Sequence, residues 1–270
     1  MSNGLLHHAS FDATSRVCKL QDRYNNTLCE FTMPPSTDDV NKPIMFYSMQ
    51  DGSELSLHGN GSNPPSFEVS SDGTNWNKYT LGTKITLNKG KLRYFKTTKS
   101  WSGATGTETS RIYFTITGNI RAYNNVNYLC ATYRPDTTPI TACQFSRIFL
   151  GCTGLTRAPL LPSTTLETTN RVGQHYFAMF ADTSITETPY LPATNVPFKA
   201  YSMMFDGCKY LTKVRCAATT LGTNATQSWL NGVAATGNFY CDPNATIFPT
   251  GSVSGIPKGW TRRNIADYPN

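Results

Sequence analysis

Charged side chains and long apolar runs are both scarce in this sequence of 270 residues. Only 15% of the residues are charged, and no stretch approaches the roughly 20 apolar residues that a membrane-spanning helix needs. Residues 1–8 lack the basic start and the apolar centre of a secretory signal. We therefore expect a protein with no membrane span that does not leave the cell by ordinary secretion.

Local motifs for catalysis are also missing. The sequence contains no phosphate loop, no dinucleotide fingerprint and no calcium loop. Its four histidines lie in unrelated local contexts, and its acidic residues are too sparse to suggest the paired carboxylates of a glycosidase. We predict a protein that is not an enzyme, with no catalytic residues, no cofactor and no metal site. A tail-associated polysaccharide-degrading enzyme stays open as an alternative.

Eight cysteines are present, but none forms a close Cys-x-x-Cys pair suited to zinc or redox chemistry. Since no secretory signal accompanies them, we interpret them as buried thiols. Disulfide bonds and metal binding are the alternatives.

The formal charge of +7 favours an anionic partner such as nucleic acid, a phosphorylated polymer or an acidic cell surface. The basic residues are dispersed, however, and the densest run, 89–99, alternates with apolar residues in the manner of a strand. Because tracking of a phosphate backbone requires a concentrated patch, we predict no nucleic-acid partner.

The first 117 residues show short alternating runs separated by turn residues. Residues 1–40 contain one hairpin pattern, 16–20 and 27–31, followed by a Pro-rich stretch, and form a predicted attachment segment. Residues 41–117 predict a small antiparallel β-sandwich, because Asx-Gly and Lys-Gly turns separate short strands at spacings near 10 residues. The six predicted strands are 44–48, 54–58, 66–70, 84–87, 92–96 and 111–117. Trp76 and Trp101 are either core residues or exposed platforms for sugar rings.

Residues 118–236 repeat a motif of aromatic and large apolar residues. The last positions of successive copies are 31, 25 and 25 residues apart. The aligned copies are Phe145-x-x-Ile148-Phe149, Tyr176-x-x-Met179-Phe180, Tyr201-x-x-Met204-Phe205 and Thr226-x-x-Trp229-Leu230. A unit of about 25 residues cannot bury its apolar side alone, so we predict a solenoid of stacked coils with one shared core.

Two of these motifs carry a family resemblance. Residues 201–208 read Tyr-Ser-Met-Met-Phe-Asp-Gly-Cys, and residues 189–194 read Pro-Tyr-Leu-Pro-Ala-Thr. In these motifs residues 118–260 resemble the BspA-like leucine-rich repeats of Bacteroidales surface proteins and of the crAss-like bacteriophages that infect those bacteria. The segments 71–76 and 85–90 are similar to the β-domain that often precedes such repeats, and residues 237–260 are similar to their closing module.

A binding surface is predicted on the strands of the repeats. Charged residues recur two positions after the internal Leu or Ile of each copy, as Arg157, Glu187 and Lys213. Neighbouring residues extend this exposed strand face, namely Arg215, Tyr190 and Tyr210. Such a face fits a glycan or protein receptor, and a merely solvated strand face is the alternative.

We therefore predict a mainly β protein with an N-terminal segment (1–40), a β-sandwich (41–117), a leucine-rich-repeat solenoid (118–236) and a C-terminal cap (237–270). The resemblance implies a structural component of a phage virion, a head or tail fibre or a capsid decoration, assembled in the host cytoplasm. We expect residues 1–40 to bind other virion proteins and the chain to form a homo-oligomer, with a trimer favoured. A bacterial cell-surface adhesin is the alternative.

Overall fold

The computed structural model describes residues 8–12, 17–22, 24–34, 37–59, 64–99, 112–130, 140–141, 144–168 and 173–269. The chain is mainly β and contains several antiparallel sheets, so the predicted fold class is confirmed at this level. Helical structure in the described residues is limited to two short 3-10 helices, Val126–Leu129 and Ile265–Asp267.

The strands of the first half are β1 (His8–Asp12), β2 (Val17–Gln21), β3 (Thr27–Thr32), β4 (Met45–Ser48), β5 (Ser53–Gly59), β6 (Phe67–Ser70), β7 (Asn77–Tyr79), β8 (Ile85–Leu87), β9 (Leu92–Thr97) and β10 (Ile112–Thr117). The strands of the second half are β11 (Ile120–Tyr123), β12 (Leu155–Arg157), β13 (Asn195–Val196), β14 (Lys213–Arg215), β15 (Thr220–Leu221), β16 (Gly237–Cys241) and β17 (Trp260–Asn264).

The N-terminal strands form an antiparallel sheet of their own, in the order β1-β2-β3. The predicted hairpin is confirmed as the pair β2 and β3. Its turn is stabilised by Asp22, whose carboxylate accepts hydrogen bonds from the N–H groups of Tyr24 (2.8 Å) and Asn26 (3.0 Å). Strand β1 was not predicted, and it pairs with β2 along its whole length.

Strands β4 to β10 belong to two sheets that pack face to face. One has the order β10-β5-β8, and the other contains β4, β9, β6 and β7. Aromatic rings fill the space between them: the centroid of Phe46 lies 4.8 Å from that of Phe114, and Phe95 lies 5.6 Å from Phe114. The six predicted strands correspond to β4, β5, β6, β8, β9 and β10, and β7 was missed.

Trp76 does not lie in this core. Its side chain is half-buried, and the Lys96 ammonium lies over its ring, 4.0 Å from the centroid. The core interpretation of Trp76 is therefore wrong, because its ring lies near Tyr94 and Lys96, which flank the buried Phe95 in β9 and are themselves only half-buried. Trp101 lies outside the described residues.

Strand β11 connects the sheets to the repeats. It pairs antiparallel with β4 and parallel with β12, so a single six-stranded sheet spans both regions. The hydrophobic core is continuous from Ile44 to Trp260. The predicted boundary after residue 117 therefore separates two parts of one core.

Successive repeat copies lie on one another in register. The N–H of Tyr176 donates to the carbonyl of Ala200 (2.9 Å), and that of Tyr201 donates to Ala225 (2.8 Å). The buried ring of Phe180 is stacked between Phe149 at 5.5 Å and Phe205 at 5.7 Å, with interplanar angles of 6° and 3°. The equivalent residues Leu155, Ile185 and Leu211 are also fully buried. Backbone bonds and side-chain packing thus follow the same repeat.

Left-handed backbone recurs at every fourth residue of the stacked copies, with φ between 49° and 73°. These residues are Gln174, Ala178 and Asp182, then Lys199, Met203 and Gly207, then Asn224, Ser228 and Gly232. The chain consequently turns every four residues. The N–H of Met179 bonds within its turn to Tyr176, whereas that of Phe180 reaches Met204 in the next copy. Alternate N–H groups thus close the turn and join the copies.

Both ends of the stack are covered by other parts of the chain. At one end Phe114 of β10 stacks on Phe149 at 5.3 Å. At the other end Phe248 stacks on Trp229 at 5.8 Å, and the Trp229 indole donates to the carbonyl of Gly255. The terminal rings are therefore shielded from water at both ends.

Five of the cysteines with described side chains are free thiols, namely Cys18, Cys152, Cys208, Cys216 and Cys241. Cys130, Cys152, Cys208, Cys216 and Cys241 are buried. Cys18 is half-buried. Burial raises the pKa of Cys152 and of Cys216 to about 12 and that of Cys208 to about 11, so these thiols are unreactive at neutral pH. The buried-thiol interpretation is confirmed for Cys152, Cys208, Cys216 and Cys241, but Cys18 is only half-buried. The side chains of Cys29 and Cys143 are outside the described part.

Candidate binding face

The outward side of the sheet β14-β16-β17 carries most of the predicted binding residues. In β14 the middle residue, Val214, is fully buried, so Lys213 and Arg215 on either side of it project away from the core. Lys213 lies opposite Asn238 of β16, and Arg215 lies opposite Tyr240. Parallel pairing therefore aligns these side chains across the sheet.

Arg215 contacts the faces of two tyrosine rings. Its guanidinium carbon lies 4.4 Å from the ring centroid of Tyr190 and 4.8 Å from that of Tyr268. The Tyr268 ring is itself packed edge-on against Tyr240 at 4.9 Å. Within the described chain, the buried Nε of Arg215 has no hydrogen-bond partner. The guanidinium is therefore held by contacts with aromatic rings and not by a hydrogen bond from Nε.

Glu187 completes this group of side chains. Its Oε2 lies 3.7 Å from the Lys213 ammonium and accepts a hydrogen bond of 3.1 Å from the Tyr268 hydroxyl. Burial and the adjacent Glu187 carboxylate raise the pKa of Tyr268 to about 12, so its hydroxyl stays a donor. The Glu187 and Lys213 side chains are 45% and 40% exposed, and such a pair contributes only about 0–1 kcal/mol.

The residues that the structure brings together are called the Arg215 cluster. They are Glu187, Tyr190, Lys213, Arg215, Tyr240 and Tyr268. The sequence predicted Glu187, Tyr190, Lys213 and Arg215. It did not predict Tyr240 and Tyr268. Tyr268 lies beyond the last repeat, in the segment that follows β17, so no periodicity indicates its contact with Arg215.

Arg157 does not contribute to this cluster. Its guanidinium makes an ion pair with Asp38, with an Nη2–Oδ2 distance of 2.5 Å, and a further bond of 2.6 Å to the carbonyl of Ala122. It also lies 4.2 Å from the ring centroid of Tyr123. The predicted exposed position of Arg157 is wrong, because its side chain is only 29% exposed and is used to hold residues near Asp38.

Tyr210 is exposed, as predicted, at 51%. Its ring contact is with Lys209, whose ammonium lies 5.1 Å from the centroid. The contacts of the Arg215 cluster do not include Tyr210.

The chain before β4 is anchored close to Arg157. The N–H of Asn124 donates to the Asp38 carboxylate (2.8 Å), and the Asn124 side-chain oxygen accepts from the N–H of Asp39 (3.0 Å). The Asn125 amide donates to the carbonyl of Val40 (2.9 Å). Residues 38–40, placed by the sequence in the attachment segment, are therefore fixed to the first strand of the repeat region.

Two histidines illustrate the other polar chemistry of the fold. His58 Nε2 lies 2.9 Å from the Ser56 hydroxyl and 3.1 Å from that of Thr115, and Ser56 is only 7% exposed.

His175 is fully buried, and burial lowers its pKa to about 4. Glu167 weakly opposes this shift, although neither ring nitrogen has a hydrogen bond of good geometry within the described residues. His175 is therefore neutral at pH 7.

Among the residues described, no group of three His, Cys, Asp or Glu side chains is placed to hold a metal ion. The same part of the chain has no helix that is long and apolar enough to cross a membrane. Comparison of the sequence with protein-family models and with curated proteins, and of the fold with solved structures, finds no match.

Proposed function

We propose that the chain is a structural, non-enzymatic component of a bacteriophage particle, as a head or tail fibre or a decoration of the capsid, and that it contacts the host surface. In this proposal the stacked copies are a BspA-like leucine-rich-repeat solenoid, preceded by a β-sandwich and closed by a C-terminal cap. The observation that carries the proposal is the in-register stack of repeat copies.

The stack supports a role in display. Copies joined by backbone bonds at each turn, with aromatic rings 5.5–5.7 Å apart, form a stiff body with one shared core. Each copy adds one row of outward side chains to the strand face. A fibre or decoration needs such a stiff body to hold a binding face away from the particle.

The N-terminal sheet supports a role in attachment. Of the side chains described before Ile44, none belongs to the hydrophobic core, and Tyr24, Leu28 and Met33 are 69%, 57% and 41% exposed. A small isolated sheet is only marginally stable in water, so it requires a partner surface. That partner is another virion protein or further copies of this chain, with a trimer favoured.

The test is quantitative mass spectrometry of purified phage particles and of the envelope of uninfected host cells. The proposal expects the chain at a fixed stoichiometry in the particles and its absence from uninfected cells. A pool on the surface of cells without phage would instead support a bacterial adhesin. Release of sugars from host capsule by the purified chain would support a polysaccharide-degrading tail enzyme.

A further inference from the structure

We propose that the Arg215 cluster binds the anionic group of an acidic polysaccharide. This inference rests on the proposed contact with a host surface and specifies its chemistry. The ligand is a chain of sugar rings carrying carboxylate or phosphate groups, with the anion bound by Arg215 and a sugar ring placed against Tyr190.

The guanidinium of Arg215 is already oriented for an anion. The rings of Tyr190 and Tyr268 pack on it at 4.4 and 4.8 Å, and the main-chain N–H of Arg215 is fixed by a bond of 3.1 Å to the Thr188 hydroxyl. A planar guanidinium offers N–H donors at its edge that match two oxygens of a carboxylate or phosphate. Little side-chain entropy remains to be lost when a ligand binds this edge.

The side chains around Arg215 are mainly positively charged, as an anionic ligand requires. Lys213 lies two residues away on the same face, and Arg263 of β17 pairs in register with Tyr240. Arg263 is exposed, and its Nε donates to the Asn238 side chain (3.1 Å). Lys213, Arg215 and Arg263 therefore lie near the Glu187 carboxylate on this face, within a chain of net charge +7.

Tyrosine rings supply the apolar surface that a sugar needs. Tyr190 is 40% exposed although it packs on Arg215, so part of this residue remains accessible to solvent. Sugar rings place their C–H faces on such aromatic side chains while their hydroxyls stay in water. Tyr268 acts as a positioning residue, because it holds both Arg215 and Glu187.

A polysaccharide fits this face better than a nucleic acid does. Nucleic-acid binding commonly neutralises about 6–10 phosphates along a continuous track. The cations named on this face are three, and the Glu187 carboxylate, which is bonded to the Tyr268 hydroxyl, repels a closely spaced phosphate backbone. A polysaccharide with one anion per repeat unit makes fewer ionic contacts and avoids that repulsion.

Isothermal titration of the full chain with four polymers at ~0.1 M salt tests the inference. The polymers are polygalacturonate, a phosphomannan, neutral dextran and single-stranded oligo(dT). The variants are Arg215→Gln, Arg215→Lys and the control Lys78→Gln, which removes one exposed charge from β7. Circular dichroism and thermal melting establish that each variant is folded.

We expect binding of an anionic polysaccharide, with the carboxylate and phosphate arms identifying the preferred anion. Arg215→Gln should weaken it about tenfold or more, and Arg215→Lys should also weaken it because the planar fork is lost. Lys78→Gln should leave it unchanged. Equal binding of dextran, tighter binding of oligo(dT), full affinity of Arg215→Gln, or no binding of either acidic polymer would overturn the inference.

Failure of this inference is distinguishable from failure of the proposed function. A chain that is present in particles but binds neither acidic polymer leaves the structural role intact. If the chain binds acidic polysaccharide through Arg215 but is absent from particles, the binding site is supported and the role in the particle is contradicted.

Discussion

Gly118 and Gly151 have nearly the same left-handed backbone, with φ of 84° and 74°, but different surroundings. A Cβ at Gly118 would lie 2.9 Å from the main-chain Cα of Ser53, whereas a Cβ at Gly151 would have no atom within 4 Å. Replacement of Gly151 by Ala therefore adds only the backbone cost of about 1–2 kcal/mol. Replacement of Gly118 by Ala has this backbone cost and also a steric clash with Ser53 in the neighbouring strand β5.

We predict that Gly118→Ala lowers the free energy of unfolding clearly more than Gly151→Ala does, by about 1 kcal/mol or more beyond the backbone cost. Urea denaturation of both variants measures this difference. Gly151→Ala is the matched control, since the two sites share the backbone conformation. Equal losses would mean that the turn after β10 relaxes away from Ser53.

The burial of His175 predicts that the folded state becomes less stable in acid. Its folded pKa of about 4 lies below the ordinary value of 6.5, so the unfolded chain binds the proton more readily. The resulting stability is fully present above pH 6.5 and is lost as the pH falls towards 4. The loss between pH 7 and pH 5 is about 2 kcal/mol.

Replacement of His175 by Leu should remove most of this pH dependence, as measured by urea denaturation at pH 7 and pH 5. Asp22 and Asp72, whose pKa values are lowered by hydrogen bonds within their turns, act at lower pH and do not interfere. An unchanged slope in His175→Leu would show that another group takes up the proton.

The candidate site was only partly predictable from residues. Periodicity placed Glu187 and Lys213 on one face, because equivalent positions of stacked copies align. Arg157 occupies the equivalent position in an earlier copy, but Asp38 is present there to pair with it. The Arg215 cluster also contains Tyr268, which contacts Arg215 because of the path that the chain takes after β17. Contacts between chain-distant residues leave no trace in local spacing.

At the scale of elements, the column of stacked rings gives a prediction. Phe180 is fully buried between Phe149 and Phe205, so Phe180→Ala should lower the free energy of unfolding by ~3–5 kcal/mol. Phe177, in the same copy, is half-buried and stacks with the Arg147 guanidinium at 4.9 Å. Chemical denaturation of both alanine variants is the measurement.

Phe177→Ala is the matched control and should cost only about 1 kcal/mol. Similar losses for the two variants would contradict a core that passes through the stacked rings. The Phe180 effect should also lower hydrogen-exchange protection in the copies on both sides, since each copy donates backbone bonds to the next.

Strands with clear turn signals were predictable, and others were not. Gly52, Gly73 and Gly90 have φ of 69°, 80° and 80°, as their tight turns require, and they mark the ends of predicted strands. Strand β7, Asn77–Tyr79, is short and largely polar, and it exists because β6 pairs with it. The left-handed residue at every fourth position was also missed, because Ala178 and Met203 do not favour that conformation locally.

At the scale of the whole molecule, the described chain has a part that contributes to the hydrophobic core and an N-terminal part that does not. From Ile44 to Trp260 one hydrophobic core runs through the sheets and the stacked copies, and hydrogen bonds from Asp38 onward fix the entry to it. The strands β1–β3 precede that anchor. The proposed attachment segment is therefore better separated by a cut before residue 34 than by one at residue 40.

The most direct test of the account is the assembly of particles with a chain that begins at Pro34. We predict that this shortened chain is monodisperse, melts at nearly the temperature of the full chain, and is absent from purified particles by quantitative mass spectrometry. Its core and the Asp38–Arg157 ion pair are retained, so only attachment should be lost. Incorporation at the level of the full chain would contradict attachment through the N-terminal sheet.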